Sequence, residues 1–498
     1  MTERTIQPGK TPGNRVLEID PLTRVEGHGK VTIHLDANNQ VSEARLHIVE
    51  FRGFERFIQG RLLWEVPVIV QRLCGICPVS HHLCAAKAMD QIVGVDQLPP
   101  TAEKMRRLMH YGQILQSNVL HFFHLASPDL LFGFDAPARQ RNIFEVIKKN
   151  PELARQGVLM RQFGQEIIEA TAGKKIHGTG AIPGGINKAL SQETRDALLP
   201  RIDTIQAWAE GAVDLIRDYC QAHPEQIAHF ANFPSNAMSL LREDGAMELY
   251  DGKLYAVDTE GQPIFSAVAP ADFNQYLMEE VRSWSYMKFP FIRSLGSEQG
   301  WYRVGPLARL NTARFIPTPA AQKRLIEYRH LNSGTNGNGN EMQHASLLYH
   351  WARMIEVLHC VEQIHSLLED PEILSGELRA KGERREEGIA VIEAPRGSLF
   401  HHYRVDKNDQ ITYCNLIVST THNNSAMNRA VTEVAQRHLS GQKTITDGLL
   451  NHIEVAVRAY DPCLSCATHA LGQMPLQIAL VDATGETIQQ FTRDAAHG

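Results

Sequence analysis

Two short stretches near opposite ends of the chain carry the residues best suited to chemistry. The first reads Arg72-Leu-Cys74-Gly-Ile-Cys77-Pro-Val-Ser-His81, the second Asp461-Pro-Cys463-Leu-Ser-Cys466-Ala-Thr-His469. Each is a Cys-x-x-Cys pair followed by a histidine. Residues three or four apart share one face of a helical turn, so each pair can aim two sulfurs at one place. If the fold joins the pairs, four thiolates converge on a metal. A single Cys-x-x-Cys is a weak signal, structural or redox in many settings. Two pairs suit a structural zinc site, with the trailing histidines as further ligands, and spacing by itself favours zinc. Structural zinc pairs, however, usually lie within one small module. Here Cys77 and Cys463 are separated by nearly the whole chain, and a protein of this size needs no zinc staple to fold. The separation leans towards a functional metal at the centre of a large core. Soft thiolates favour nickel, iron or zinc there.

The bulk of the chain must build that core. Its 498 residues suffice for one large or two to three ordinary domains. With 43% hydrophobic and 21% charged residues the mixture is that of a globular protein. A net charge of -6, without any basic run, argues against nucleic-acid binding as the main role. No stretch approaches the roughly 20 apolar residues of a membrane helix, and the first residues show no apolar signal region. Eight cysteines in so long a chain do not make a disulfide scaffold. Cys84, Cys220, Cys360 and Cys414 read as small apolar core residues. Reduced thiols fit a cytosolic metalloprotein, so a cytoplasmic location is expected.

The elements follow from periodicity. Residues 1–14 read as a loose polar arm. Alternation from Val16 to Ile48 predicts a hairpin turning at Asp36–Gln40. Phe54–Leu73 has helical periodicity interrupted by Pro67; His81–Val93, Ala102–Ala126 and Asn142–Ala172 read as helices. The loop Gly178–Ile186 lacks phosphate-cradle spacing, so a nucleotide site is rejected. Ser191–Ala222 reads as one long amphipathic helix and Glu248–Val268 as strands. Helices are expected at Ala320–Arg329 and Glu341–Leu368, around the breaker cluster Asn332–Asn340. Strands return over Ile389–Ser419, then helices over Ala426–Arg437 and Thr444–Tyr460. The expected fold is predominantly α with small β-sheets near both ends, a helical bundle in one domain with each cysteine pair at a helix terminus.

Taken together, Arg-x-Cys-Gly-Ile-Cys-x-x-x-His and Asp-Pro-Cys-x-x-Cys-x-x-His resemble the paired signatures of the nickel–iron hydrogenase large subunit. Further matching stretches are Arg24-Val-Glu26-Gly-His28, Arg52-Gly-Phe-Glu55 and Glu393-Ala-Pro395-Arg396-Gly. The resemblance covers essentially the whole chain. The wording Cys-Pro-Val-Ser-His-His and Cys-Leu-Ser-Cys-Ala-Thr-His is similar to the cytoplasmic, bidirectional, NAD-linked branch. The resemblance implies reversible heterolytic oxidation of hydrogen at a nickel–iron centre whose iron carries carbonyl and cyanide. Electrons would leave through an iron–sulfur small subunit to flavin- and NAD-binding diaphorase subunits. A maturation protease and nickel-insertion factors are implied as well.

Residue by residue, the resemblance implies Cys74 and Cys463 as terminal nickel thiolates, with Cys77 and Cys466 bridging to iron. His81 would donate to the Cys77 thiolate. Pro395 and Arg396 would lie above the metals, Asp461 would pair with Arg396, and Thr420 would donate to a cyanide. Glu26 would relay protons beside Cys463. Glu55, His469 and a backbone carbonyl near Leu416 would hold a second, hard ion, with magnesium expected from the oxygen ligands. The plainer readings are a strand glutamate paired with Arg24 or His28 for Glu26 and an exposed helical residue for Glu55. For Arg396 it is a surface ion pair.

The chain departs from the family pattern at Gln116-Ser-Asn118, where many relatives carry His-Asp-His, and at Ser419-Thr-Thr-His422-Asn, where they carry Pro-Ser/Thr-Thr-Trp-Asn. Residues 470–498 match the extension that relatives lose after the equivalent of His469, which leaves 1–469 as the working domain. The plainer reading is a permanent C-terminal strand at Leu476–Val481. A hydrogen-sensing regulatory protein, or a hydrogenase using another acceptor, are the alternatives. Sensors generally lack the cleaved tail, and the related respiratory complex I subunit has lost the cysteines.

Overall fold

The computed structural model describes residues 15–330, 342–468, 476–481 and 487–493. The expected arm over 1–14, the breaker cluster Asn332–Asn340 and His469 lie outside the described residues.

Helices dominate and the sheets are small. The chain opens with an antiparallel meander of β1 (Arg15–Ile19), β2 (Gly29–Leu35) and β3 (Val41–Ile48). The polar turn Asp36–Gln40 closes the expected hairpin: the Asp36 carboxylate accepts the amides of Asn38 and Gln40. β1 adds a third strand that alternation alone leaves unassigned. Between Phe54 and Leu73 the expected helix is broken into α1 (Phe54–Ile58), a single turn Val66–Ile69 and a 3-10 turn Val70–Leu73. Pro67 starts the second piece rather than interrupting a longer helix, as suits a residue with no amide to donate.

α2 (Pro78–Ile92), α3 (Pro100–Leu120) and α4 (Pro151–Ala172) follow. α3 runs along α4 at very close range. A Cβ on Gly164 would lie 2.8 Å from the Gly112 carbonyl oxygen, so only glycine allows this approach. The expected single helix over Ser191–Ala222 is two, because Leu199–Arg201, with Pro200 inside it, forms a 3-10 turn before α5 (Ile202–Ala222). A four-stranded sheet lies in mid-chain, built on β4 (Asn236–Leu241), β5 (Lys253–Val257) and β6 (Pro263–Val268), so sheets are not confined to the ends.

The helix expected from Glu341 begins later, as α6 (Leu348–Glu369), which packs on α3 and α5 and is buried on almost every side. β7 (Glu387–Ala394), β8 (Gly397–Val405) and β9 (Ile411–Ile417) form an antiparallel sheet against α2. α7 (Asn424–Leu439) and α8 (Asp447–Arg458) complete the body. Beyond it β10 (Leu476–Val481) and β11 (Thr487–Arg493) pair as a hairpin. Among the described residues no helix is long and apolar enough to cross a membrane.

Candidate metal centre

The four cysteines meet in the buried core. Cys74 Sγ lies 3.3 Å from Cys463 Sγ, Cys77 Sγ 3.8 Å from Cys466 Sγ, and Cys463 Sγ 2.8 Å from Cys466 Sγ. All four sulfurs fall within 4.8 Å of one another. Four sulfurs bound at about 2.3 Å around one tetrahedral ion would stand about 3.8 Å apart, so this set has the size of a thiolate cage. The other four cysteines are buried in the core away from it. The Cys84 thiol, for instance, donates to the Leu399 carbonyl at 3.3 Å.

The pairs sit on turns, not on helical turns as their spacing suggests. Cys74 is in extended backbone after the 3-10 turn, Cys77 caps α2 ahead of Pro78, and Cys463–Cys466 turn back after α8. The reason is hydrogen bonding. Cys74 Sγ accepts the amides of Ile76 at 3.2 Å and Cys77 at 3.4 Å, which a helix interior would commit to its own carbonyls. Hydrogen bonds from the other three thiols also hold Cys74 well below the usual thiol range, while burial pushes Cys463 and Cys466 well above it. A soft cation is the partner that would keep all four deprotonated.

The two ends of the chain are joined directly. Glu26 and Cys463 form a parallel β-bridge, and the Leu464 amide donates to the Glu26 carbonyl at 3.0 Å. The Ser465 amide donates to Glu26 Oε2 at 3.2 Å. Burial and the Cys74 charge raise the Glu26 carboxyl, against hydrogen bonds from Cys463 and Ser465. Neither plainer partner takes it: Arg24 bonds Asp129 at 2.6 Å and His28 bonds Glu50 at 2.5 Å.

Arg396 occupies a two-residue turn with Pro395 between β7 and β8. Its guanidinium donates to the Asp461 carbonyl at 2.6 Å and to Asp461 Oδ1 at 3.1 Å, with both side chains almost wholly buried. This is the expected pair, not a surface ion pair. Burial raises the Asp461 carboxyl, opposed by Arg396 and Arg353. A small cavity beside Cys77, Cys463 and Cys466 is lined by Ser80, His81, Pro395, Arg396 and Thr420.

One expected contact differs. The hydrogen bond of His81 runs from Nδ1 to His401 Nε2 at 3.2 Å, not to the Cys77 thiol, and His401 in turn meets the Tyr403 hydroxyl at 2.7 Å. α2 begins at Pro78, so His81 already lies a full helical turn in and its ring faces β8. Thr420 Oγ1 accepts the Cys463 amide at 2.9 Å, which leaves its proton for the cavity.

Glu55 and Leu416 do meet, but through the Leu416 amide, which donates to Glu55 Oε1 at 2.8 Å, rather than through a carbonyl. Burial pushes Glu55 up to about 7, against the charge of Lys288 and the Leu416 amide. Among the described residues the cysteine quartet is the one group of metal-ligating side chains found within binding distance. At the departures from the family pattern, Gln116 donates to the Ile76 carbonyl at 2.6 Å and Ser117 Oγ lies 3.5 Å from Arg396. His422 meets the Tyr302 hydroxyl at 2.6 Å.

Sequence reasoning missed Ser80, His401 and Tyr403. Only Ser80 left a usable signal, three residues after Cys77 on the first turn of α2.

The comparisons with known proteins agree with this geometry. Residues 52–137 and 238–469 match the family model described as nickel-dependent hydrogenase, and 16–51 match one described as HoxL-like. The chain is 47% identical to the NAD-reducing hydrogenase HoxS subunit beta of Cupriavidus necator, over 96% of this chain and 100% of that one. It is 40% identical to a chain of the F420-non-reducing hydrogenase of Methanothermobacter thermautotrophicus, over 95% of this chain and 99% of that one. Its fold is similar to a crystal structure of an NAD+-reducing [NiFe]-hydrogenase in the H2-reduced state. The TM-score is 0.89 at 58% identity, covering 92% of this chain and 100% of that one.

Proposed function

Because this chain belongs to the nickel-dependent hydrogenase family, we propose that its four convergent cysteines hold a nickel–iron centre and catalyse the reversible oxidation of hydrogen. That convergence is the observation that carries the reading. In it Cys74 and Cys463 would hold nickel as terminal thiolates, and Cys77 and Cys466 would be shared with an iron carrying carbonyl and cyanide. Thiolates fit both metals. When bound, such a centre would supply soft metals suited to heterolytic splitting of hydrogen.

The protein's own groups then handle the proton. The Cys463 thiolate takes it, and the Glu26 carboxyl, held against the same turn by the Ser465 amide, carries it onward. Arg396 keeps a fixed positive charge over the cavity because Asp461 grips it through both a carbonyl and a carboxylate. Pro395 fixes the turn that presents it, and His81 and Thr420 line the same cavity. Glu55, with His469 and a backbone carbonyl near Leu416, would hold magnesium; the Leu416 amide itself is taken up by Glu55.

Electrons leave through an iron–sulfur small subunit to diaphorase subunits carrying FMN and NAD, in the cytoplasm. The similarity to a protein named for NAD reduction supports this acceptor. Residues 470–498, which include the β10–β11 hairpin, are removed by a maturation protease once nickel-insertion factors have loaded the site.

Purifying the native complex tests each level. Nickel and iron should be present, hydrogen should reduce NAD, and mass spectrometry should show the chain ending at His469. Zinc alone would sink the metal reading. Hydrogen oxidation with no NAD reduction would sink the acceptor, and an active chain retaining Gly498 would sink the cleavage.

A further inference from the structure

Ser80 sits on the first turn of α2 with no exposed surface, and its hydroxyl has no hydrogen-bond partner among the described residues. A buried hydroxyl without a partner costs about 1–3 kcal/mol. A helical serine usually returns its proton to the carbonyl four residues back. For Ser80 that carbonyl is Ile76, which already accepts Gln113 Nε2 at 2.9 Å and Gln116 Nε2 at 2.6 Å. Both lone pairs are therefore engaged. The hydroxyl is left to the small cavity that Ser80 lines together with Cys77, Cys463 and Cys466.

Besides the cysteines, the polar side chains on that cavity are Ser80, His81, Arg396, Ser419 and Thr420, and the Ser419 hydroxyl is committed to the Gly397 carbonyl. Arg396 is a cation, and Thr420 Oγ1 is occupied by the Cys463 amide. Much of the remaining wall is the apolar surface of Ala394, Pro395, Leu399 and Val418. A guest that satisfies these donors must be small and must present an acceptor atom away from the thiolates. It must also suit an apolar wall, as a linear diatomic ligand on a metal does.

We propose that the Ser80 hydroxyl is a direct hydrogen-bond donor to a cyanide ligand of the metal held by Cys77 and Cys466. This rests on the nickel–iron reading above and assigns Ser80 a place in it. The bond draws electron density from the ligand and so tunes its stretching frequency.

The test is infrared spectroscopy of the purified, metal-loaded complex, comparing Ser80→Val with Ser80→Thr. The two variants are close in shape, and only threonine keeps the hydroxyl. One cyanide band should shift in Ser80→Val and return towards its original position in Ser80→Thr, with the carbonyl band moving less. Where Ser80→Val fails to load metal, Ser80→Ala, which only deletes an atom, is read in the same way. Unmoved cyanide bands in a fully metallated hydroxyl-free variant would overturn the assignment while leaving the nickel–iron reading intact. A wild-type complex with no cyanide or carbonyl bands would overturn both.

Discussion

Glu26 and Cys463 lie near opposite ends of the chain yet pair backbone to backbone, and the Glu26 carboxylate turns back onto the amide of Ser465 in the same loop. One contact thus sets both the position of the Cys463 sulfur and the position of the carboxyl proposed to take its proton.

Glu26→Gln keeps the shape and the Ser465 bond but cannot pass a proton. The variant should retain its metals, while hydrogen exchange with deuterated solvent and net turnover fall by about 100-fold or more. Mass-spectrometric gas analysis measures the exchange directly. Near-normal solvent exchange in fully metallated protein would remove Glu26 from the path.

Gly27 tests the junction itself. Its φ is +84°, and an added Cβ would lie 2.7 Å from the Ser465 amide nitrogen. Gly27→Ala must strain this backbone or push the cysteine loop away. It should cost about 1–3 kcal/mol and lower nickel content together with the melting temperature. A variant that melts and loads metal like the parent would show that the junction is compliant.

Much of this was legible because it was written locally. The cysteine pairs, Asp461, Arg396 and Glu26 each sit in a short run whose residue types have a chemical purpose, and strong periodicity marked α3 and α4. What escaped depended on long-range partners. Within Phe54–Leu73 Pro67 signals one break, but nothing there says that the stretch will fall into several short turns to present Cys74. Leu199–Arg201 breaks a convincing amphipathic pattern through one proline. His81 stands four residues from Cys77, which suggests a contact, but its partner His401 arrives from a strand hundreds of residues away. Ser80 offered only its spacing from Cys77; that its usual acceptor, the Ile76 carbonyl, is taken by Gln113 and Gln116 depends on another helix.

Asp129 should govern part of the acid limb of stability. Burial alone would raise its carboxyl, but Arg458 and Arg24, each 2.6 Å away, outweigh it and hold it below the ordinary aspartate range. A carboxylate depressed in the folded state stabilises above its unfolded pKa, about 3.9. That contribution is lost as pH falls through the lower folded value. Asp129→Asn should therefore be destabilised most at neutral pH, and its gap from the parent should narrow below about pH 4. Denaturant midpoints from pH 7 down to pH 3 would measure it. A gap independent of pH would show that the carboxylate charge is not what matters.

The turn that carries Arg396 is clamped from behind by a wholly buried ion triad. Arg309 Nε donates to Glu393 Oε2 at 2.6 Å, and its Nη1 meets both Glu356 oxygens at 2.7 Å. Its Nη2 donates to the Ala394 carbonyl, the residue before the Pro395–Arg396 turn. Glu393 Oε1 is engaged as well, by the Leu240 amide at 3.0 Å and the Ser398 hydroxyl at 2.6 Å. Every partner is satisfied, so the triad is costly to break rather than a source of large net stability. Removing one member of such a buried set leaves an uncompensated charge and costs about 3–5 kcal/mol. Arg309→Met should therefore unfold at lower denaturant. Arg309→Met combined with Glu356→Leu, which removes a charge of each sign, should recover part of the loss. Arg309→Lys keeps the charge but not the fork that serves two carboxylates and a carbonyl at once, so it should fall between wild type and Arg309→Met. Equal midpoints for Arg309→Lys and wild type would show that charge alone, without the fork geometry, holds the turn beneath Arg396.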